Sequence, residues 1–321
     1  MKKYPLKLTY TAKTALWAGK RLKEEYGKQS ELEKISETWE LSVRDDEMAR
    51  IIGGEADGMT LAEYFASCGY DCVTPSFKVG DRFPLLVKFI DAEDYLSVQV
   101  HPDDAYAGTV HNDSGKTEMW YIVDAKQGSK LVYGLREGVS SEDFAKAVSE
   151  GRIGDTVQYV DVKPGETYFI PAGMLHAIGA GILIAEIQQN SDLTYRVYDF
   201  DRVGADGKKR ELHVSKAIDV TRPYSEEEIS AIRYERGKVE CEGELLANSK
   251  YFKVRRLAQN GTTKLTSAPE SFVSLLCVEG VGEIVADGIG YKITKGDSYF
   301  IPAGMGEFLV DGKLTLIVSE V

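Results

Sequence analysis

Four side chains, spread over three stretches of the chain, have the types needed to bind a divalent metal ion. Gln99 and His101 are two residues apart on a predicted strand, so their side chains project from the same face. Glu118 begins a later predicted strand that could lie across from them, and His176 follows a turn. Two nitrogen and two oxygen ligands suit Zn²⁺ or another first-row divalent ion. The neutral amide leaves room for water or substrate, as a catalytic site requires.

A twelve-residue segment that includes His176 occurs twice. GETYFIPAGMLH at 165–176 returns as GDSYFIPAGMGE at 296–307, with eight of the twelve positions identical, and Glu307 replaces the histidine. The other three histidines, His101, His111 and His213, also precede the second copy, and we expect His111 and His213 to lie outside the metal site. The repeat predicts a duplicated fold in which one half carries the chemistry and the other is scaffold.

Composition limits the classes of protein that this chain can belong to. With 321 residues, 43% of them hydrophobic, it can form two domains with sizeable cores. A net charge of −12 argues against nucleic-acid binding. If the substrate is an anion, Lys and Arg side chains near the site must reverse the negative electrostatic potential of the chain. No apolar run reaches membrane-spanning length and no apolar signal core follows the N-terminal lysines, so we expect a cytoplasmic protein. The four cysteines are expected to be reduced thiols.

The elements that must position these residues are mostly strands. Two-residue alternation predicts strands at 85–91, 95–101, 118–124, 157–162, 166–170, 182–188, 272–278, 291–294 and 313–319. Helices are predicted at 12–26, 60–68, 141–149 and 226–233, as decoration around the sheets. The stretch from about 200 to 240 is interpreted as the connection between the halves, with Lys208, Lys209 and Arg210 in a solvated turn.

The spacing G-x5-P-x-G-x2-H, at Gly165, Pro171, Gly173 and His176, resembles the second signature of the cupin barrels. In both copies the glycines fit a strand that ends in a tight turn. The resemblance implies a mainly β protein of two jelly-roll type cupin domains with a few peripheral helices. We expect a catalytic domain at 1–235, including the connecting segment, and a non-catalytic domain at 236–321.

Longer stretches resemble one cupin family, the type I phosphomannose isomerases in their short bacterial form. These stretches are ETWELS at 37–42, FPLLVKFIDAEDYLSVQVHPDDAYA at 83–107, GKTEMWYI at 115–122, FIPAGMLHAI at 169–178 and DLTYRVYDFDR at 192–202. The family uses zinc to interconvert mannose 6-phosphate and fructose 6-phosphate. The resemblance implies one Zn²⁺ per chain held by Gln99, His101, Glu118 and His176, with Arg196 as the active-site arginine. It also places Lys88, Lys116, Glu186 and Asp192 around the pocket, and Trp39 and Glu40 near the substrate.

The residue types agree with that reaction. Moving a carbonyl between C1 and C2 of an open-chain sugar passes through a cis-enediol or enediolate. A metal ion and the Arg196 guanidinium would stabilise the negative charge on its two oxygens. Lys88 and Lys116 could act as bases or could bind phosphate, and Asp192 could assist ring opening. Two alternatives remain: a non-catalytic sugar-phosphate-binding cupin, and a metal cupin that acts on a different sugar.

Overall fold

The computed structural model describes residues 1–44, 47–204 and 207–321, and strands dominate these ranges. The strands are β1 (Leu6–Leu8), β2 (Thr11–Lys13), β3 (Glu37–Leu41), β4 (Ile51–Ile52), β5 (Leu85–Ala92), β6 (Val98–Val100), β7 (Glu118–Ala125), β8 (Lys130–Leu135), β9 (Val157–Asp161), β10 (Thr167–Ile170), β11 (His176–Ile178), β12 (Ile182–Gln189), β13 (Tyr195–Tyr198), β14 (Glu244–Asn248), β15 (Lys253–Ser267), β16 (Val273–Ala286), β17 (Ile289–Thr294), β18 (Ser298–Ile301) and β19 (Gly306–Glu320). The α-helices are α1 (Arg21–Glu24), α2 (Leu61–Cys68), α3 (Asp104–His111), α4 (Ser141–Ser149), α5 (Val214–Val220) and α6 (Glu226–Arg233).

The first half of the molecule contains two antiparallel sheets. One has the strand order β10-β7-β12-β5-β3-β2 and the other β13-β6-β11-β8-β9. Strands β5 and β12 are buried along their whole length, which matches their nearly continuous apolar sequences. Two of the three charged exceptions, Lys88 and Glu186, lie directly opposite each other in the register of these strands, and the third is Asp91. The two sheets give the first half the jelly-roll architecture expected of a cupin.

The second half is one large antiparallel sheet with the order β14-β15-β19-β16-β18-β1-β4, to which β17 adds by pairing with β16. Strands β15, β16 and β19 are long, and an apolar cluster that includes Leu275, Phe308 and Leu316 forms their core. The N-terminal strand β1 pairs with β18 and joins this sheet. The two halves are therefore linked by strand pairing as well as by side-chain packing.

Most of the predicted elements are confirmed. The strands predicted in the first half are present, although 95–101 is reduced to Val98–Val100, and those predicted in the second half are parts of longer strands. Helices α2, α4 and α6 match their predicted ranges, and each begins with a capping box, at Thr60, Ser140 and Ser225. None of the described helices is long and apolar enough to cross a membrane. All four cysteines are free.

The helix predicted at 12–26 is wrong. This segment contains strand β2 and only the single turn α1, and Leu16 is exposed. The cause is a tertiary contact with Asp91: its carboxylate accepts a hydrogen bond from the Arg21 backbone N–H at 2.8 Å and forms an ion pair with the Arg21 guanidinium at 2.7 Å. Gly19 lies so close to Asp91 that an added Cβ would fall 2.1 Å from the carboxylate. Because the Arg21 N–H bonds Asp91, and the Trp17 carbonyl accepts from the Glu93 N–H at 3.0 Å, the helical hydrogen bond between residues 21 and 17 is replaced and one continuous helix does not form.

Candidate active site

The two sheets of the first half bring three of the predicted metal ligands together in the interior. The potential ligand atoms of His101, Glu118 and His176 all lie within 4.8 Å of one another, and all three residues are buried. His176 begins β11 and pairs with Gln99 on β6, His101 directly follows β6, and Glu118 begins β7 on the facing sheet. The jelly-roll fold therefore brings residues that are distant in sequence into one cluster.

The hydrogen bonds of the two histidines fix which ring nitrogen faces the cluster. The His101 Nδ1–H donates to the Leu193 carbonyl at 2.7 Å, and the His176 Nδ1–H donates to the Met174 carbonyl at 2.9 Å. Because a carbonyl can only accept, both Nε2 atoms carry lone pairs. The Nε2 atoms of His101 and His176 lie 3.2 and 3.9 Å, respectively, from carboxylate oxygens of Glu118. Acceptors that converge in this way fit a cation between them.

The ionisation of the cluster also suits a metal ion. Burial, reinforced by the charge of Lys116, lowers the pKa of His101 to about 3. Burial likewise lowers the pKa of His176. Burial alone would raise the pKa of Glu118, but the positive charge of Lys116 and the neighbouring His101 lower it well below its usual range. At neutral pH the cluster therefore holds two neutral imidazoles and one carboxylate, the forms in which these groups bind metal ions.

Gln99 is the fourth predicted ligand and lies at the edge of the cluster. Its amide nitrogen is 3.5 Å from His176 Nε2, and its amide oxygen accepts a hydrogen bond from the Ser97 hydroxyl at 3.3 Å. Rotation of the amide by half a turn would place the oxygen toward the cluster, and the Ser97 oxygen could then accept from the amide nitrogen. The position of Gln99 is compatible with the predicted role as a weak ligand.

A cavity of about 350 Å³ opens beside the cluster. The predicted site residues that line it are Lys88, Gln99, Lys116, His176, Glu186, Asp192 and Arg196. A larger cavity of about 510 Å³ near Arg44 and Phe77 contains none of them, so size alone does not mark the site. The smaller cavity is the one in which a ligand would meet the metal cluster.

Lys88 is held in its charged form at one wall of this cavity. Its Nζ lies 3.3 Å from Glu37 Oε2 and 3.6 Å from Glu186 Oε1. Burial opposes the charge, but Glu37 and Glu186 together raise the pKa of Lys88 above its ordinary value. Burial, with the nearby charge of Glu118, raises the pKa of Glu186 to about 7. Glu37 was not among the predicted site residues, although its place two residues before Trp39 on the same strand face could have indicated it.

Lys116 lies closest to the metal cluster among the basic residues of the cavity. Its Nζ is 3.1 Å from Glu118 Oε1 and 3.4 Å from His101 Nε2. The side chain is almost fully buried. Lys88 and Lys116, which the sequence could not distinguish, therefore occupy different environments: one between two carboxylates, the other against the candidate ligands.

Two guanidinium groups line the cavity on the side of β13. Arg196 is opposite Gln99 in the β13–β6 register, and its guanidinium donates to the Ser97 hydroxyl at 3.3 Å and to the Glu211 carbonyl at 2.9 Å. Arg210, interpreted from the sequence as part of a solvated turn, also lines the cavity. The carboxylate of Asp199 accepts a hydrogen bond from Arg210 Nε at 2.8 Å and orients that side chain. The sequence around Arg210 has no strand or helix periodicity, so the position of this side chain at the cavity could be found only from the folded structure.

The structure does not bring Trp39 and Glu40 to the cavity wall. Trp39 lies behind it, where its indole N–H donates to Glu37 at 3.2 Å. Glu40 lies where the pairing of β3 with β5 is irregular, between Trp39 and Leu41, and its side chain does not line the cavity. Its carboxylate forms a buried ion pair with Lys28 at 2.6 Å, and the same Lys28 ammonium donates to the Gly296 carbonyl of the second half.

The two remaining histidines lie outside the cluster, as the sequence predicted. His111 Nε2 is 2.8 Å from the Tyr195 hydroxyl. The imidazole Nδ1 of His213 accepts a hydrogen bond from the Arg196 backbone N–H at 3.3 Å. The backbone N–H of His213 donates to the Arg196 carbonyl at 2.7 Å. His213 therefore holds the strand that carries Arg196.

Comparison with known proteins identifies the same family over the whole chain. Residues 6–128 match the model described as phosphomannose isomerase type I, catalytic domain, and residues 242–321 match mannose-6-phosphate isomerase, cupin domain. The chain is 34% identical to mannose-6-phosphate isomerase ManA of Bacillus subtilis and 35% identical to mannose-6-phosphate isomerase of Streptococcus mutans, with 98% of both chains covered in each case. The crystal structure of the mannose 6-phosphate isomerase from Bacillus subtilis superposes with a TM-score of 0.88 at 33% identity, covering 99% of both chains. The chain belongs to the type I mannose-6-phosphate isomerase family.

Proposed function

We propose that this chain catalyses the reversible interconversion of D-mannose 6-phosphate and D-fructose 6-phosphate in the cytoplasm, with one zinc ion per chain. One observation carries the proposal: the buried cluster of His101, Glu118 and His176 adjoins a cavity lined by two lysines and two arginines. The family membership supports the same reaction, because the curated relatives are named for it.

His101, Glu118 and His176, with Gln99 as a neutral fourth ligand, would hold the metal. The mixture of imidazole, carboxylate and amide suits zinc and leaves a position for the sugar. When bound, the metal would supply a Lewis acid that stabilises negative charge on the oxygens at C1 and C2.

The isomerisation also needs a group that moves a proton between the two carbons. Lys88 is held as a cation by Glu37 and Glu186, so it can donate hydrogen bonds to sugar oxygens but is a poor base. We assign the proton transfer to Lys116, because its Nζ lies against the candidate ligands, 3.1 Å from Glu118 Oε1 and 3.4 Å from His101 Nε2, where the reacting carbons of a metal-bound sugar would lie. Asp192 lines the mouth of the cavity, where a carboxylate can accept the hydroxyl proton during ring opening.

The arginines supply the positive charge that a sugar phosphate requires in a chain of net charge −12. Arg196 and Arg210 line the same side of the cavity, and planar guanidinium groups bind phosphate through paired hydrogen bonds. Arg196 would also stabilise charge that develops on the enediol. Local basic residues thus oppose the long-range repulsion of an anionic substrate.

In this proposal residues 1–235 form the catalytic domain and 236–321 the supporting cupin domain. The gap between α6, which ends at Arg233, and β14, which begins at Glu244, supports that division. The pairing of β1 with β18 means that the division describes roles and leaves the two domains physically linked.

The test is an isomerase assay on the purified protein with three substrates: mannose 6-phosphate, glucose 6-phosphate and unphosphorylated mannose. We expect fructose 6-phosphate to form from mannose 6-phosphate, with the other two at least about tenfold poorer in kcat/KM because each loses specific contacts. Binding of mannose 6-phosphate without turnover would identify a non-catalytic binding protein. A higher kcat/KM for another sugar would contradict the proposed substrate.

A further inference from the structure

The segment Gly115–Glu118, which carries Lys116 and the candidate ligand Glu118, rests against the start of helix α3. The carboxylate of Asp104, in the first turn of that helix, accepts a hydrogen bond from the Gly115 N–H at 2.9 Å. An added Cβ at Gly115 would lie 2.6 Å from the Asp104 nitrogen, so the two backbones are in direct contact. The position of the segment therefore depends on α3.

A second connection joins Asp104 to the same segment through a buried amide. Gln189 Nε2 donates to the Asp104 carboxylate at 3.0 Å, and Gln189 Oε1 accepts from the Thr117 N–H at 2.9 Å. Gln189 and Thr117 are both buried. Because Gln189 uses both ends of its amide, it fixes the backbone between Lys116 and Glu118 relative to the Asp104 carboxylate.

The Asp104 carboxylate is itself held from the second half of the molecule. The Tyr251 hydroxyl, in the turn between β14 and β15, donates to the other carboxylate oxygen of Asp104 at 2.7 Å. Burial alone would raise the pKa of Asp104, but the hydrogen bonds from Tyr251, Gly115 and Gln189 lower it, which keeps the group ionised as a triple acceptor. The next residue, Phe252, is buried against Phe169 at 6.0 Å between ring centroids.

We infer that Asp104 is a positioning residue for the metal-binding segment and that Tyr251 of the second half holds it in place. The second half then contributes to the site by fixing Glu118 and Lys116, in addition to supporting the fold. This inference rests on the proposed metal site but does not depend on which sugar is converted. Groups behind metal ligands tune metal affinity by fixing the ligands' geometry, so affinity is the quantity to measure.

The experiment titrates the metal-free protein with Zn²⁺ in competition with a chromogenic chelator. We expect Asp104→Ala to weaken zinc binding about tenfold, the lower end of the range for groups behind a ligand. Asp104→Asn, which keeps an acceptor for Gly115 and Gln189, should recover most of that loss. Tyr251→Phe should weaken binding about threefold, since it removes one anchor of the carboxylate and leaves the others.

Two control variants separate positioning from general stability. Asp143 occupies the first turn of α4, and Tyr299 donates its hydroxyl to the Lys292 carbonyl within the second half. Asp143→Ala and Tyr299→Phe should leave zinc affinity unchanged. Unaltered affinity in Asp104→Ala, or an equal loss in the controls, would overturn the inference. A parent protein that binds no zinc would overturn the metal site and the inference together, whereas one that binds zinc without isomerising mannose 6-phosphate would refute only the proposed reaction.

Discussion

The two copies of the repeated segment share their glycine turns and their closing hydrogen bonds but have different side chains at four positions. Gly165 and Gly296 both have φ of 90°, and Gly173 and Gly304 both have positive φ, which explains why these turns need glycine. Three hydrogen bonds close each copy: Gly165 N to Ile122 O, Gly173 N to His101 O and Met174 N to Pro171 O in the first, and Gly296 N to Cys277 O, Gly304 N to Ala268 O and Met305 N to Pro302 O in the second.

The strand registers identify the counterparts of the candidate ligands. Ile170 pairs with Glu118 in the first half, and the equivalent Ile301 pairs with Val273 in the second. The residues Gln99, His101, Glu118 and His176 correspond to Thr266, Ala268, Val273 and Glu307. Glu307 points to solvent and forms an exposed ion pair with Lys264 at 2.7 Å.

The two copies show that the turn motif specifies the local fold. The candidate metal ligands are independent of that motif, because the second copy has the same turns without them. A jelly roll with these turns folds whether its interior holds a polar cluster or only apolar side chains. The described part of the second half has an apolar core that includes Leu275, Phe308 and Leu316. The predictions that follow change residues of the two halves and measure the effect on metal content, activity and stability.

The largest effect is expected from Glu118→Gln, which removes the charge of the candidate ligand and keeps its shape. Metal content should be lost, and kcat/KM should fall on the order of a thousandfold, because several kcal/mol of charge stabilisation disappear with the metal. Elemental analysis and the isomerase assay measure both. The matched change at the counterpart, Val273→Thr, should leave metal content and activity unchanged. Stoichiometric metal in Glu118→Gln would exclude Glu118 from the site.

Arg196→Ala should separate metal binding from turnover. Arg196 lines the cavity and is not among the candidate ligands, so the variant should retain zinc. Loss of a fixed charge donor should lower kcat by about a hundredfold or more. Steady-state kinetics on metal-loaded protein provide the measurement. A rate near that of the parent would remove Arg196 from the mechanism.

Glu40→Ala should affect stability and leave the chemistry intact. The variant leaves Lys28 buried without its carboxylate, which costs about 3 to 5 kcal/mol of unfolding free energy. Urea denaturation measures this loss, and kcat of the folded variant should stay within about twofold of the parent value, since Glu40 does not reach the cavity. The double variant Lys28→Met with Glu40→Leu should regain much of the stability. A large fall in kcat with unchanged stability would contradict this prediction and would indicate that Glu40 acts in the substrate site.

The smallest effect is expected from Glu307→His, which restores the histidine of the turn signature in the second half. The exposed ion pair with Lys264 contributes at most about 1 kcal/mol, so stability should hardly change. No second metal ion should bind, because Thr266, Ala268 and Val273 offer no strong ligand. Elemental analysis of zinc-saturated protein checks this. A second equivalent of bound zinc would show that the turn histidine alone creates a site.

Sequence reasoning identified the residues of the buried His101, Glu118 and His176 cluster but missed parts of the cavity, and each omission has a physical cause. Strand spacing and the turn motif identified His101 and His176, because both are local patterns. Glu40 was assigned with its neighbour Trp39, yet the structure places its carboxylate in a buried ion pair with Lys28, a residue distant in sequence. Arg210 is brought into the cavity by Asp199, a contact that leaves no local signal.

The most direct test of the central claim, that all the chemistry belongs to one half, is reconstitution of the metal-free protein with measured amounts of zinc. Isomerase activity and bound zinc should rise together and level off at one equivalent per chain. Activity that continues to rise to two equivalents, or that does not depend on added metal, would contradict the account.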